Sequence, residues 1–174
     1  MKKTLVLGLG NPILTDDGVG VHVVRAVQSR LTPHASRLTP HASHLEFAEA
    51  SVGGMRLLGI ISGYERVVIV DAIQTPGGSP GEIHRLHPGD LRVSLHAGSS
   101  HDLSLTAALA LGREMGMALP ADEDIVIIAV EAEDVLTFGE TCTPAVAAAI
   151  PRAVEAVLAE LRAVGTPDSP CRNG

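Results

Sequence analysis

The sequence predicts an α/β fold: a three-layer α/β/α sandwich around a mainly parallel five-stranded sheet with one edge-type antiparallel strand. Three observations carry this expectation. The runs VVIVD at Val67–Asp71 and DIVIIAV at Asp124–Val130 are apolar almost throughout, as strands buried on both faces are. Such runs alternate with segments of helical periodicity, the order that βαβ units produce. GEIHRLH at Gly81–His87 instead alternates apolar and polar residues, as a half-exposed edge strand does.

The elements follow in order. Thr4–Leu7 reads as the first strand, and GLGNPILTDDGVG at Gly8–Gly20 follows it. A helix is expected from Asp16 to Arg30, with Val19, Val23, Val24, Val27 and Leu31 on its apolar stripe. Asp16 and Asp17 stand at its start, where a carboxylate caps backbone N–H groups and sits in the positive end of the helix dipole. Gly18 and Gly20 each cost a helix roughly 1 kcal/mol against Ala, so a strand or a ligand is expected to pack closely there.

SRLTPHA at Ser29 recurs at Ser36, and each copy holds a proline. This excludes a coiled coil and marks residues 29–44 as an inserted, duplicated loop. Leu45–Ala48 is a second strand ending at Glu49. Val52–Ser62 is a helix, with Met55, Leu58 and Ile61 or Leu57 and Ile60 on its apolar faces. HPGDLRVSLHAGSS is a polar loop. Asp102–Met115 is a helix with Leu103, Ala107, Ala110 and Leu111 inward and Ser99 or Ser100 near its cap. Pro144–Leu161 is the last helix, with a kink expected at Pro151. Residues 1–164 form one domain, and 165–174 a flexible tail.

Composition narrows the function. A formal net charge of −7 argues against nucleic acid and anionic membranes as partners. Aromatic content of 2%, without tryptophan, removes base stacking as a binding mode. The two cysteines, Cys142 and Cys171, form no CxxC pair and read as reduced thiols of a cytoplasmic protein. The apolar start is broken by Gly8, Gly10, Asn11 and Pro12, so it reads as a strand and not as a signal peptide. No stretch is long and apolar enough for membrane insertion.

In folds of this class ligands bind beyond the C-terminal ends of the strands. Asp16/Asp17, Glu49, Asp71 and Glu131 all fall at such ends, and His101 lies in the loop entering a helix. Two carboxylates and an imidazole, with open positions, suit a divalent transition ion. That ion would polarise a carbonyl and activate water. A dinucleotide site competes, because GLGNP partly matches G-x-G-x-x-G. However, Ile13 stands at the third glycine, and Asp16 and Asp17 would repel a pyrophosphate. Cys142 has no local pattern of a Cys–His nucleophile. His34, His41 and His44 fall in the repeat, where nothing fixes their geometry. His22, His84, His87 and His96 read as helix, strand and loop residues without a chemical role.

GLGNPILTDDGVG, VVIVDA with Asp71, SSHDLSL with His101 and the strand ending in Glu131 together resemble the hydrogenase maturation endopeptidases, from Thr4 to Leu161. The resemblance implies an endopeptidase that removes the C-terminal extension of a nickel–iron hydrogenase large-subunit precursor after nickel insertion. It implies Asp17, Asp71 and His101 as metal ligands and catalytic residues. It also implies nickel as the ion, supplied by the substrate, with zinc or cadmium able to substitute. The family is grouped with aspartic-type peptidases. This chain differs from the family in carrying Asp17 where Glu is frequent, Glu49 where Asp-Gly is frequent, and Ala132 where Pro follows the acidic strand end. Two other functions remain open: a non-catalytic, nickel-dependent checkpoint protein that binds the precursor, and a dinucleotide-binding redox enzyme.

Overall fold

The computed structural model describes residues 2–35, 44–92 and 100–163. Five strands form one sheet: β1 (Thr4–Leu9), β2 (Leu45–Ala50), β3 (Arg66–Ile73), β4 (Ile83–Leu86) and β5 (Ile125–Glu131), in the order β2-β1-β3-β5-β4. β1 pairs in parallel with β2 and β3, and β3 with β5. β4 closes the edge antiparallel to β5. The helices are α1 (Val19–Ala35), α2 (Gly54–Ile61), α3 (Ser100–Glu114) and α4 (Pro144–Ala163).

Alternate residues of β1, β3 and β5 feed two cores, which is why these central strands are apolar at nearly every position, whereas β2 and β4 at the sheet edges carry polar residues. Val6, Val68, Val70, Val126 and Ile128 pack with Val23 and Val27 of α1 and Val146 and Val154 of α4. Leu5, Leu7, Ile69, Ile125 and Ile127 pack on the other face with Leu57, Leu58 and Ile61 of α2 and Leu105 and Leu109 of α3. Burying each such side chain contributes about 1.5–3 kcal/mol before chain entropy is counted. α1 leads from β1 to β2 on one side, and α2 then leads back past β1 to β3. The chain therefore diverges at the C-terminal ends of β1 and β3, and a crevice opens there.

Glycine makes this junction possible. A Cβ on Gly20 would lie 2.3 Å from the Val70 carbonyl oxygen and 2.4 Å from that of Leu9. The partner anticipated at this turn is thus the pair of strands. Gly10 has φ +118°, and a Cβ there would lie 1.7 Å from the Asp17 carbonyl oxygen.

Several sequence expectations are corrected. Asp16 does not open α1. Thr15–Gly18 is a 3-10 turn, the α-helix starts at Val19, and no side chain caps the turn. The first SRLTPHA copy is not loop, because α1 continues through Ala35 and includes Pro33. The second copy, 36–42, lies outside the described residues, as do His41 and the tail from 164. α3 faces the sheet with Leu105, Ala108 and Leu109, whereas Ala107, Ala110 and Leu111 are exposed. Its run LSLTAALALG is apolar on every side, so periodicity did not fix its rotation. The side chain of Leu103 lies outside the described residues. Met55 of α2 is exposed while Leu57 is buried. Within the polar loop, Asp90–Arg92 forms a 3-10 turn, and 93–99, including His96, lies outside the described residues.

Candidate functional site

A cleft of about 170 Å³ sits at the crevice between β1 and β3, lined by Leu9, Gly10, Asn11, Asp17, Ser51, Val52 and Asp71. The three segments that follow β1 and β2 or end β3 all contribute. Gly10 N–H donates to the Ala50 carbonyl at 3.0 Å, and Ser51 Oγ donates to the Gly10 carbonyl at 2.8 Å, so the first two are locked together.

Asp17 and Asp71 thus share one cleft, although 54 positions separate them in the chain. Asn11 N–H donates to Asp17 Oδ2 at 2.7 Å. Ala72 N–H donates to Asp71 Oδ1 at 2.8 Å. Asp71 has the parity of Ile69 and Ile73, so it lies on the sheet face that carries α2 and α3. His101 is the second residue of α3, and its side chain lies outside the described residues. Among the described residues no three His, Cys, Asp or Glu side chains converge on one point.

Asp16 takes a different part from its neighbour. It is fully buried. Glu133 N–H and Asp134 N–H each donate to its Oδ2 at 3.0 Å, and the Thr143 hydroxyl donates to the same oxygen at 2.9 Å. Thr143 N–H donates to Oδ1 at 2.7 Å. Asp16 therefore ties the β1–α1 turn to both ends of the β5–α4 segment, at the foot of α4 instead of at its own helix. Thr15, at φ +29°, is a strained conformation for a β-branched residue. Its N–H donates to the Gly139 carbonyl at 2.8 Å and its hydroxyl to the Thr137 carbonyl at 2.6 Å, and these bonds hold it.

The other acidic strand ends stand apart from the cleft lining. Glu49 is exposed and forms a bidentate pair with Arg25, at 2.8 and 2.7 Å. Glu131 is buried and anchors the β3–β4 connection, with Thr75 N–H donating at 2.5 Å and the Thr75 hydroxyl at 3.0 Å. His84 Nε2 lies 3.4 Å from Glu131 Oε2 without a well-directed hydrogen bond. Burial, and then the nearby Asp16 carboxylate, push the Cys142 thiol up to about 11. A neutral thiol near pH 7 is a poor nucleophile. Sequence reasoning did not single out Ser51, Asn11 or the Asp16–Thr143 tie. Thr-Pro at 143–144 signals a helix start but not which carboxylate meets it.

Comparison with known proteins shows the family and the fold. A family model described as hydrogenase maturation protease matches residues 21–160. The Hydrogenase 2 maturation protease of Escherichia coli strain K12 is 31% identical over 164 residues, covering 94% of this chain and 93% of that protein. The hydrogenase expression/formation protein HupD of Rhodobacter capsulatus is 29% identical, covering 94% of this chain and 73% of that one. The solved structure of the hydrogenase maturating endopeptidase HybD from E. coli superposes with a TM-score of 0.74 at 31% identity, covering 94% of both chains. The chain belongs to the hydrogenase maturation protease family and is a peptidase by class.

Proposed function

We propose that this peptidase removes the C-terminal extension of a nickel–iron hydrogenase large-subunit precursor after nickel insertion. In this reading Asp17, Asp71 and His101 meet the nickel that the substrate brings, and zinc or cadmium can occupy the same place. The observation that carries the proposal is the meeting of Asp17 and Asp71 in one small cleft at the β1/β3 crevice. An engineered cavity of about 150 Å³ takes a benzene, so a cleft of about 170 Å³ has room for an ion, a few waters and a carbonyl group, but for little of a peptide's side chains. Nickel, when present, would polarise the scissile carbonyl or its attacking water.

The protein's own residues prepare the site. Asn11 N–H fixes one oxygen of Asp17, and the other oxygen takes no hydrogen bond among the described residues. Carboxylate oxygen and imidazole nitrogen together are an acceptable donor set for nickel. His101 enters at the N-terminal turn of α3. Whether or not one carboxylate also serves as general base, as an aspartic-type mechanism requires, both are needed ionised for cation binding. No helix among the described residues is long and apolar enough to cross a membrane. We assign the enzyme to the cytoplasm on its sparse cysteines, which form no CxxC pair.

The test is a time course with nickel-loaded and nickel-free precursor, with the released peptide followed by mass spectrometry. Cleavage of the loaded form alone is expected. Equal cleavage of both forms overturns the role of substrate nickel. Nickel-dependent binding without cleavage would identify a checkpoint protein instead.

A further inference from the structure

A cleft this small offers little area for recognising a folded substrate, so the recognition surface has to lie beside it. The β5–α4 segment, 132–143, supplies one. Leu136 is 83% exposed and Phe138 is 80% exposed, and Ile13 of the β1–α1 loop is 48% exposed. Phe138 is one of two phenylalanines in a chain with a single tyrosine and no tryptophan. A large aromatic side chain left in water gives up about 1.5–3 kcal/mol of burial, so an exposed apolar cluster marks an interaction surface.

The cluster is rigid and joined to the cleft. Gly139 N–H donates to the Ile13 carbonyl at 3.0 Å, and Leu14 and Gly139 form a parallel bridge. Ile13 and Phe138 are therefore register neighbours, and Asn11 of the same loop lines the cleft. Leu136 N–H and Thr137 N–H both donate to Asp134 Oδ1 at 2.9 Å, and Asp16 fastens the base of the segment. A groove of about 350 Å³ adjoins it, lined by Pro12, Ile13, His22, Arg25 and Glu140. Charge is one-sided: 132–143 carries Glu133, Asp134 and Glu140 and no basic residue, while Arg25 is neutralised by Glu49.

We propose that Ile13, Leu136 and Phe138, with the adjoining groove, dock the large-subunit precursor through an apolar side chain flanked by basic residues. The proposal rests on the functional reading above. Pre-ordering by Asp16 and Thr15 lowers the entropy cost of docking, and the acidic rim selects the charge of the partner.

The experiment compares the wild type with Leu136→Ser/Phe138→Ser, using nickel-loaded precursor. Met115→Ser, an exposed apolar residue just beyond the far end of α3, is the control. KM and the directly measured binding constant should both rise at least about tenfold in the double variant, the usual scale for losing an aromatic anchor, and stay put in the control. The melting temperature should not fall, because both side chains are solvent-exposed. Unchanged KM and binding, or a loss confined to kcat, overturns the proposal. So does concentration-dependent dimerisation of the wild type that the double variant abolishes while KM is unchanged, because the patch then belongs to a second copy. If the wild type binds the precursor through this patch without cutting it, the functional reading fails and the docking surface stands. If it does not bind at all, both fail.

Discussion

Glu160 and Asp16 are carboxylates sheltered from solvent near opposite ends of the sheet, and they are compensated in different ways. Glu160 of α4 sits by the start of β3. Arg66 donates to it at 2.8 Å and Arg85 at 2.5 and 3.3 Å, and Arg66 also bonds its backbone carbonyl at 3.0 Å. Lys2–Asp124 and Lys3–Glu46 repeat the pattern of opposite charges along that edge. Asp16, at the other edge, receives three backbone N–H groups and one hydroxyl. An arginine cancels the charge, whereas amide dipoles satisfy the oxygens and leave the charge in place. Asp16 also adds, after burial, to the rise of the neighbouring Cys142 thiol. The lower edge is thus built to hold β3, β4 and α4 together, and the upper edge keeps a negative field beside Asp17 and Asp71.

The strongest way to break this comparison is Asp16→Ala. It leaves four donors without their acceptor, and a loss of about 3–5 kcal/mol is expected. Thermal unfolding should show it as a melting temperature lower by roughly 10 °C. Asp16→Asn, mild if Asp16 were a helix cap, should also destabilise, because its amide NH₂ must face one of these donors. A melting temperature unchanged in both variants would mean that the tie carries no stability.

Asp17→Asn comes next and separates charge from shape. The amide oxygen can still accept from Asn11 N–H, so the fold should hold within about 1 kcal/mol. Cleavage of nickel-loaded precursor should fall at least about a hundredfold, the cost of losing an ionised ligand or catalytic group. Asp71→Asn should match it. Retained activity in either variant would remove that residue from the site.

Glu160→Gln probes the lower edge. It should cost about 1–2 kcal/mol at pH 7, because Arg66 stays largely buried beside a neutral partner. The hydrogen bond from Arg85, followed by the charges of Arg85, Arg66 and His87, holds the Glu160 carboxyl below its ordinary value. Its folded pKa is therefore depressed. The contribution is present above the unfolded value of about 4.3 and disappears as pH falls through the folded value. Denaturation curves of wild type and variant should converge only once the pH has fallen through the depressed folded value, where Glu160 is protonated like the Gln variant. A gap that is constant with pH would show that the pair's charge is irrelevant.

The smallest effect is expected at Cys142. Cys142→Ser should leave cleavage within about twofold, and iodoacetamide should label this thiol slowly at pH 8, where about one part in a thousand is ionised. The labelling is best read in a Cys171→Ser background. Asp16→Asn should speed it, because removing the neighbouring anion lowers the thiol pKa. Rapid labelling of the unaltered site would contradict the burial, and the lesser effect of Asp16, that raise this thiol.

Much of the architecture was legible in the residues. Continuous apolar runs at 67–70 and 125–130 read as strands buried on both faces, and His84 and Arg85 between Ile83 and Leu86 mark a half-exposed edge. The order of elements then put Asp17 and Asp71 at one crevice, because parallel crossovers leave all strand C-termini on one side. The family resemblance added the wider expectation of a peptidase. Periodicity could not settle the rotation of α3, whose residues are apolar all round, nor foresee that α1 would run through Pro33. The family resemblance pointed to Asp17, but only the tertiary structure showed what its identical neighbour Asp16 does instead. A 3-10 turn rotates successive residues by about a third of a circle, so one carboxylate falls among the N–H groups of a segment more than 110 positions away and the other lines the cleft. Likewise, Glu49, Asp71 and Glu131 all lie at or near strand C-termini, but which of them meets an arginine, a turn or the cleft was set by neighbours distant in sequence. Local pattern specifies the element, and long-range packing assigns each polar group its partner.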